Sequence, residues 1–445
     1  MRKYITLSTG CLTAKAALLA AVILFNNICG STSQAALKGG CARVDITPRA
    51  SVWLAGYGSR NKPSDGICDE LYAKALVLDD GQNKMAIVSA DLLWVPLKIT
   101  AEIRRKVKEK IGIPEKNVLI CATHTHFGPK IDRITKNWPD TSVSEIDESY
   151  VQTLKKRIVD SILTANKKMK DVKLGATKGE ITEIVYNRRT RKADGTVAMT
   201  FRLPAAKKEY VFGPVDPEIG ILRIEDMSGA LVGAIVNYAC HPVSGAKDKD
   251  KFYFISADYP GYAAKVIEEV EGGVCLFALG TAGNMNPNRI GRKDPRAEIG
   301  KALGGEVLRR IQSVSTTGEV TLKALKKPVT LPIKKNLPPD RIIEADKTKK
   351  TLTTEVQVLK IGDIYILGLP GEVLVEIGLD IKKRAGIENL FIISLSNDAC
   401  GYVCHREAYK EGGYEPGSGT NLAEGAGEIV TQQALELLGA MKQKK

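Results

Sequence analysis

The chain is poor in histidine, with four in 445 residues, and in aromatic residues, at 6%. No basic segment is studded with aromatics, which excludes the recognisable nucleic-acid-binding signatures. No repeat recurs at a period of 20 to 50 residues and no Pro/Gly/Ser-rich linker interrupts the chain, which excludes solenoids, propellers and separately tethered modules. The apolar run Ala16–Phe25 is ten residues long, too short to span a bilayer.

That run follows Arg2-Lys3 and Lys15 and precedes small and polar residues up to Ser33-Gln34-Ala35, the layout of an export signal cleaved after Ala35. The mature protein, residues 36–445, is then expected as one domain outside the cytosol, periplasmic or secreted. Asn26-Asn27-Ile28 ahead of Cys29 lacks the small residue of a lipid-attachment site, which argues against a lipoprotein anchor. Seven cysteines lie past the cut, an odd number. Cys121, Cys240 and Cys275 sit in or beside apolar strands and read as small buried hydrophobes. Cys41 with Cys68, or Cys400 with Cys404, offer disulfides in an oxidising compartment. The net charge of +14 becomes +11 once Arg2, Lys3 and Lys15 leave with the segment. Its lysine-rich patches read first as a solvated surface, and second as weak attraction to an anionic membrane surface or substrate.

Strand patterns alternate with helical ones. Strands are expected at 73–78, 85–90, 117–121, 173–181, 185–189, 219–224, 231–238, 274–279, 355–361, 364–369 and 390–395. Helices are expected at 99–111, 148–168, 259–271, 296–314, from Pro370-Gly371-Glu372 to Ala385, and 425–442. Gly280–Asn288 reads as a polar turn cluster, residues 315–350 as a β-rich or irregular excursion, and Ala193–Thr196 as a hairpin turn. The pattern is that of an α/β fold, mixed sheets with flanking helices.

Three of the four histidines stand at the ends of apolar strands: His124 and His126 after Asn117–Cys121, and His241 after Ala234–Cys240. On a strand, positions i and i+2 face one side, so His124 and His126 could enter one site together. A catalytic zinc takes about three protein ligands and lowers the pKa of bound water to ~7. The bland alternative is core histidines donating to backbone carbonyls. Glu372, likewise past an apolar strand, could complete the set or simply favour a helix N-terminus.

These residues carry a resemblance. His124-Thr125-His126-x-Gly128-Pro129, Asn237-Tyr238-x-Cys240-His241-Pro242, Leu369-Pro370-Gly371-Glu372 and Gly401-Tyr402-Val403 with Tyr409 and Tyr414 resemble the neutral/alkaline (non-lysosomal) ceramidase family, in order along the mature chain. The resemblance implies a zinc-dependent amidohydrolase with one Zn2+ per chain, held by His124, His241, Glu372 and Tyr402. It implies catalytic roles for His126 and Tyr402, and Gly56, Arg188 and Tyr414 around an N-acyl, lipid-like substrate. Two departures stand out. The family's Gly-Asp-x-Ser-Pro-Asn reads Gly283-Asn284-Met285-Asn286-Pro287-Asn288, and a carboxamide cannot be an acyl-accepting nucleophile, though Asn286 can donate to an oxyanion. The family's C-terminal immunoglobulin-like domain has no counterpart in this sequence, so the expectation is a ceramidase-like catalytic domain without it. A non-sphingolipid amide or ester as substrate, or a non-catalytic binding relative, are the alternative readings.

Overall fold

One chain pattern is used three times. In the first segment β1 (Lys38–Asp45), β2 (Tyr72–Asp79) and β3 (Lys84–Ala90) are followed by α1 (Leu97–Ile111), β4 (Val118–Ala122) and α2 (Glu148–Lys167). The second runs β5 (Lys170–Glu180), β6 (Glu218–Asp226), β7 (Leu231–Tyr238), α3 (Asp258–Glu271), β8 (Val274–Leu279) and α4 (Pro295–Ile311). The third runs β9 (Leu322–Pro332), β10 (Thr351–Ile361), β11 (Ile364–Gly368), α5 (Val375–Ala385), β12 (Leu390–Ile393) and α6 (Ala426–Gln443). Within each segment the first three strands pair antiparallel and the last two pair parallel across the helix. The first two segments join edge to edge through Lys38↔Asp171 and Gly39↔Lys170, giving an eight-stranded sheet; the third keeps its own sheet. This computed structural model describes Met1 and residues 36–132, 145–192, 196–203, 210–247, 250–335, 345–346 and 350–443. Residues 2–35, within the expected export signal, and residues 193–195 of the expected hairpin turn lie outside them.

Side chains on alternate positions of each strand go to two different cores, which is why the strands read as unbroken apolar runs. Val118, Ile120 and Ala122 of β4 pack under α1 and α2, whereas Leu119 and Cys121 face inward. Cys275, Phe277 and Leu279 of β8 pack under α3 and α4, and Leu276 and Ala278 face inward. Tyr365 and Leu367 of β11 pack towards α5 and α6, and Ile364 and Ile366 face inward. The three inner faces share a single apolar interior, with helices outside each sheet. Each fully buried Leu or Ile there contributes about 1.5–3 kcal/mol.

The helices follow from spacing and caps. Ile99, Ile103 and Val107 recur every four residues on the buried face of α1, which Gly112 closes at φ 73 with its N–H on the Lys108 carbonyl. Asp147 and Asp294 cap α2 and α4 by accepting from the Tyr150 and Ala297 amides, and Pro295 opens α4.

Three expectations need correction. Glu372 does not open a helix: Glu372–Val373 is a short strand paired with Tyr402–Val403, and α5 begins at Val375. The polar 280–288 turn contains a strand, Met285–Pro287, paired with Val185–Asn187. All seven described cysteines are free thiols. Cys41 lies in the interior near the Gly233 backbone, where burial, with Cys275 beside it, pushes its thiol up to about 12; Cys68 lies beside Arg296. Cys121, Cys240 and Cys275 are buried hydrophobes as expected.

Candidate metal centre

The histidines arrive by turns rather than by strand alternation. β4 ends at Ala122, and His124 adopts φ 69, a left-handed conformation uncommon for a non-glycine residue. Its amide donates to the Leu92 carbonyl, that of His126 to Pro242, and that of His241 to Met285. The strand-face argument is therefore wrong in its geometry, although both imidazoles do reach one point.

Each imidazole is oriented by a backbone carbonyl. His124 Nδ1 lies 2.9 Å from the Leu93 oxygen, His126 Nδ1 3.1 Å from that of Gly56, and His241 Nδ1 2.6 Å from that of Ala282. A carbonyl oxygen only accepts, so each Nδ1 carries the proton and each Nε2 presents a lone pair. Those lone pairs converge: His124 Nε2 is 3.1 Å from His241 Nε2 and 3.3 Å from His126 Nε2. Glu372 Oε2 sits 3.2 Å from both His124 and His241. Four electron-rich atoms at such distances repel one another unless a cation lies between them. A set of imidazole nitrogens and one carboxylate fits zinc. His124, His126 and His241 are together able to hold a metal ion, their ligand atoms all within 4.8 Å of one another.

The third segment supplies the rest. Strand pairing sets Glu372 directly beside Tyr402. Tyr402 Oη accepts from Arg188 Nη2 at 3.1 Å and bonds to Glu372 in turn. Arg188 also donates to Asn286 Oδ1 at 3.2 Å and to the Gly283 carbonyl at 2.7 Å. Its charge is balanced by Glu415, fully buried, at 2.8 Å from Nε; Glu415 also holds Arg189 at 3.0 Å. Tyr414 stacks edge-on to Tyr402 with ring centres 5.4 Å apart. Gly56, at φ 98, packs so closely that a Cβ there would stand 2.6 Å from the His126 ring. Its role is to admit His126, a position no other residue could fill without displacing the ring.

Burial shapes the electrostatics. It lowers His241 to about 4, with the Arg188 charge adding to the effect, and it lowers His126 well below the usual imidazole range, aided by His124 and His241. Burial alone would raise Glu372, but His124 and His241 outweigh it and hold the carboxyl well below the usual range. Burial, reinforced by the Glu372 charge, pushes the Tyr402 phenol well above its ordinary value.

The structure brings Gly56, His124, His126, Arg188, His241, Asn286, Glu372, Tyr402 and Tyr414 to the wall of one cavity of about 430 Å³. Residues 38–299 match the family described as neutral/alkaline non-lysosomal ceramidase, N-terminal. The chain belongs to this ceramidase family. The neutral ceramidase of Pseudomonas aeruginosa is 23% identical over 91% of this chain and 72% of its own length. That of Mycobacterium tuberculosis is 28% identical over 59% of this chain, which spans only 42% of that relative. The solved Pseudomonas aeruginosa neutral ceramidase superposes with a TM-score of 0.73 at 21% identity, over 92% of this chain and 75% of that one. A ceramidase complexed with C2 gives 0.74 at 21% identity, over 92% and 76%. The mixed α/β architecture is thus shared with known ceramidases.

Sequence reasoning missed Glu415, whose signal was the adjacent pair Arg188-Arg189 in need of a carboxylate. It also missed Arg60, whose Nη1 donates to the His126 carbonyl at 2.8 Å, and the three carbonyls that orient the imidazoles. Backbone acceptors have no side-chain signature.

Proposed function

We propose that this protein is an exported zinc-dependent amidohydrolase that cleaves the N-acyl bond of a ceramide-like lipid. The observation that carries the reading is the trio of Nδ1-anchored imidazoles whose Nε2 lone pairs meet beside Glu372. His124, His241, Glu372 and Tyr402 are the residues that would hold zinc. When bound there, zinc supplies a Lewis acid and lowers the pKa of water towards neutrality.

The chain's own residues account for the rest. His126 is neutral and offers Nε2 to the cavity, so it accepts the proton of an attacking water. Tyr402 keeps its proton and, with Asn286, faces the place where a carbonyl oxygen gains charge. Arg188 holds both: its bond to Asn286 Oδ1 fixes which side of the carboxamide carries the donor. Asn286 removes any serine-acyl route, so attack by water is the chemistry left. The names of the relatives support the ceramide-like class, and Arg2-Lys3 with the following apolar run supports export.

The test is metal content together with turnover of an N-acylsphingosine. Wild-type protein should carry about one zinc per chain and release fatty acid. His241→Ala should carry none and be inactive. Wild-type turnover persisting in a metal-free His241→Ala protein would overturn the reading.

A further inference from the structure

The cavity above the histidines carries charge of one sign on its walls. Glu372 is the only acidic residue among the described ones that line it, and its carboxylate lies within the histidine cluster. Several arginines line the same space, and they are not equally committed. Arg188 is neutralised by Glu415. Arg60 spends its donors on the carbonyls of Ala55, His126 and Phe252 beneath three aromatic rings. Arg289 uses fewer donors than Arg60, two bonds against four. It is only 9% exposed, its Nη1 and Nη2 bond the Val243 and Phe201 carbonyls at 3.0 and 3.1 Å, and no carboxylate among the described residues pairs with it. Because Arg289 grips the Phe201 carbonyl, Arg202 is carried to the same wall, exposed and likewise without an ion pair among the described residues.

A guanidinium that is buried with carbonyls alone retains its net charge, and buried charges are normally paired. Trp53, Leu54, Trp94 and Phe252 add apolar and aromatic surface to the wall, Ser59 and Lys130 also line it, and Phe201 is 44% exposed beside the two arginines. Such a space suits an acyl chain attached to an anion, whereas the hydroxyls of a neutral sphingoid base offer neither arginine a counter-charge. We propose that the preferred substrate is an N-acyl amphiphile bearing a carboxylate, sulfonate or phosphate, with the anion seated at Arg202 and Arg289. This rests on the amidohydrolase reading above and narrows its substrate class. Charge-assisted bonds from a guanidinium fork to such a group are strong and directional.

The decisive experiment compares N-lauroylglycine with its methyl ester and with an N-acylsphingosine, using the zinc-loaded enzyme. The anionic substrate should show a kcat/KM at least about tenfold above its neutral ester, expressed mainly in KM and weakening as salt rises. In Arg202→Gln, and separately in Arg289→Lys, that preference should shrink by about tenfold. A wild-type enzyme that prefers the neutral partner, or a preference that survives both changes, overturns the proposal. If no amide is cleaved, the amidohydrolase reading fails instead. The same pair titrated against tryptophan fluorescence, to which Trp53 and Trp94 contribute from the cavity wall, then still decides: tighter binding of the acid supports the anion seat, and equal binding overturns it. Acceleration of the neutral substrate by anionic vesicles, lost in Arg202→Gln, would assign the arginines to surface docking and also overturn the proposal.

Discussion

The shared interior of the three sheets and the end at which those sheets open are built on opposite principles. Inside, Leu76, Leu119, Ile235, Ile366 and Phe391 meet in one cluster of apolar side chains that are interchangeable in kind. At the open end His124, His241, Arg188, Asn286 and Glu415 are as deeply buried, yet each is polar or charged and bonded to a particular partner. The interior gains free energy from removing surface from water. The open end loses by desolvation and recovers only through exact partners. The first region therefore sets stability with little bearing on chemistry, and the second sets chemistry at a cost to stability.

Substitutions can break that division. His126→Ala should leave the fold intact and lower kcat by about 10²–10⁴-fold, as expected for a lost proton acceptor, measured at saturating substrate with zinc content checked. Ile366→Ala should do the reverse, costing about 2–5 kcal/mol in denaturant unfolding while the folded fraction keeps its zinc and specific activity. Gly56→Ala sits between the regions. Its φ of 98 and the 2.6 Å approach to His126 should cost about 1–3 kcal/mol and lower activity by shifting His126, without removing zinc.

Acid sharpens the contrast. His241 is lowered to about 4 from an ordinary value of about 6.5, so the unfolded chain binds its proton first. Stability of the metal-free protein should therefore be full above pH ~6.5 and fall as pH drops towards 4. Glu372, also lowered, extends the loss below its unfolded value of about 4.3. Unfolding midpoints of the metal-free protein across pH 4 to 7 measure this, and His241→Asn should weaken the dependence, leaving the part that His126, also lowered, contributes. A slope of equal size in that variant would place the acid sensitivity elsewhere.

The interior was legible because its strands have helices on one side and other sheets on the other, so β7 and β8 stand out as plain apolar runs. The site was legible through scarcity: three histidines at strand ends are hard to place otherwise. What stayed hidden depended on partners distant in sequence. Pro370-Gly371-Glu372 looks like a helix start, and only Tyr402, brought alongside, makes Glu372 a strand residue. β9 contains Pro328 and Pro332 and the charged Lys326-Lys327, a poor strand by propensity, yet it lies on a sheet edge where proline is tolerated. The threefold recurrence was hidden because its segments begin at Lys38, Lys170 and Leu322 and carry different residues after their third strands: Asp91, His241 and Glu372.

That recurrence has a consequence for the order of events during biogenesis. The proposed ligands are dealt out one segment at a time: His124 from the first, His241 from the second, and Glu372 with Tyr402 from the third. The first two segments together hold only half of the set, so the ion cannot be captured firmly until the last third has docked against them. On the proposed ligand set, metal uptake would act as a completion checkpoint. On the export and zinc proposed above, a precursor being threaded across a membrane would travel empty, and loading would lock the three segments together only at their destination.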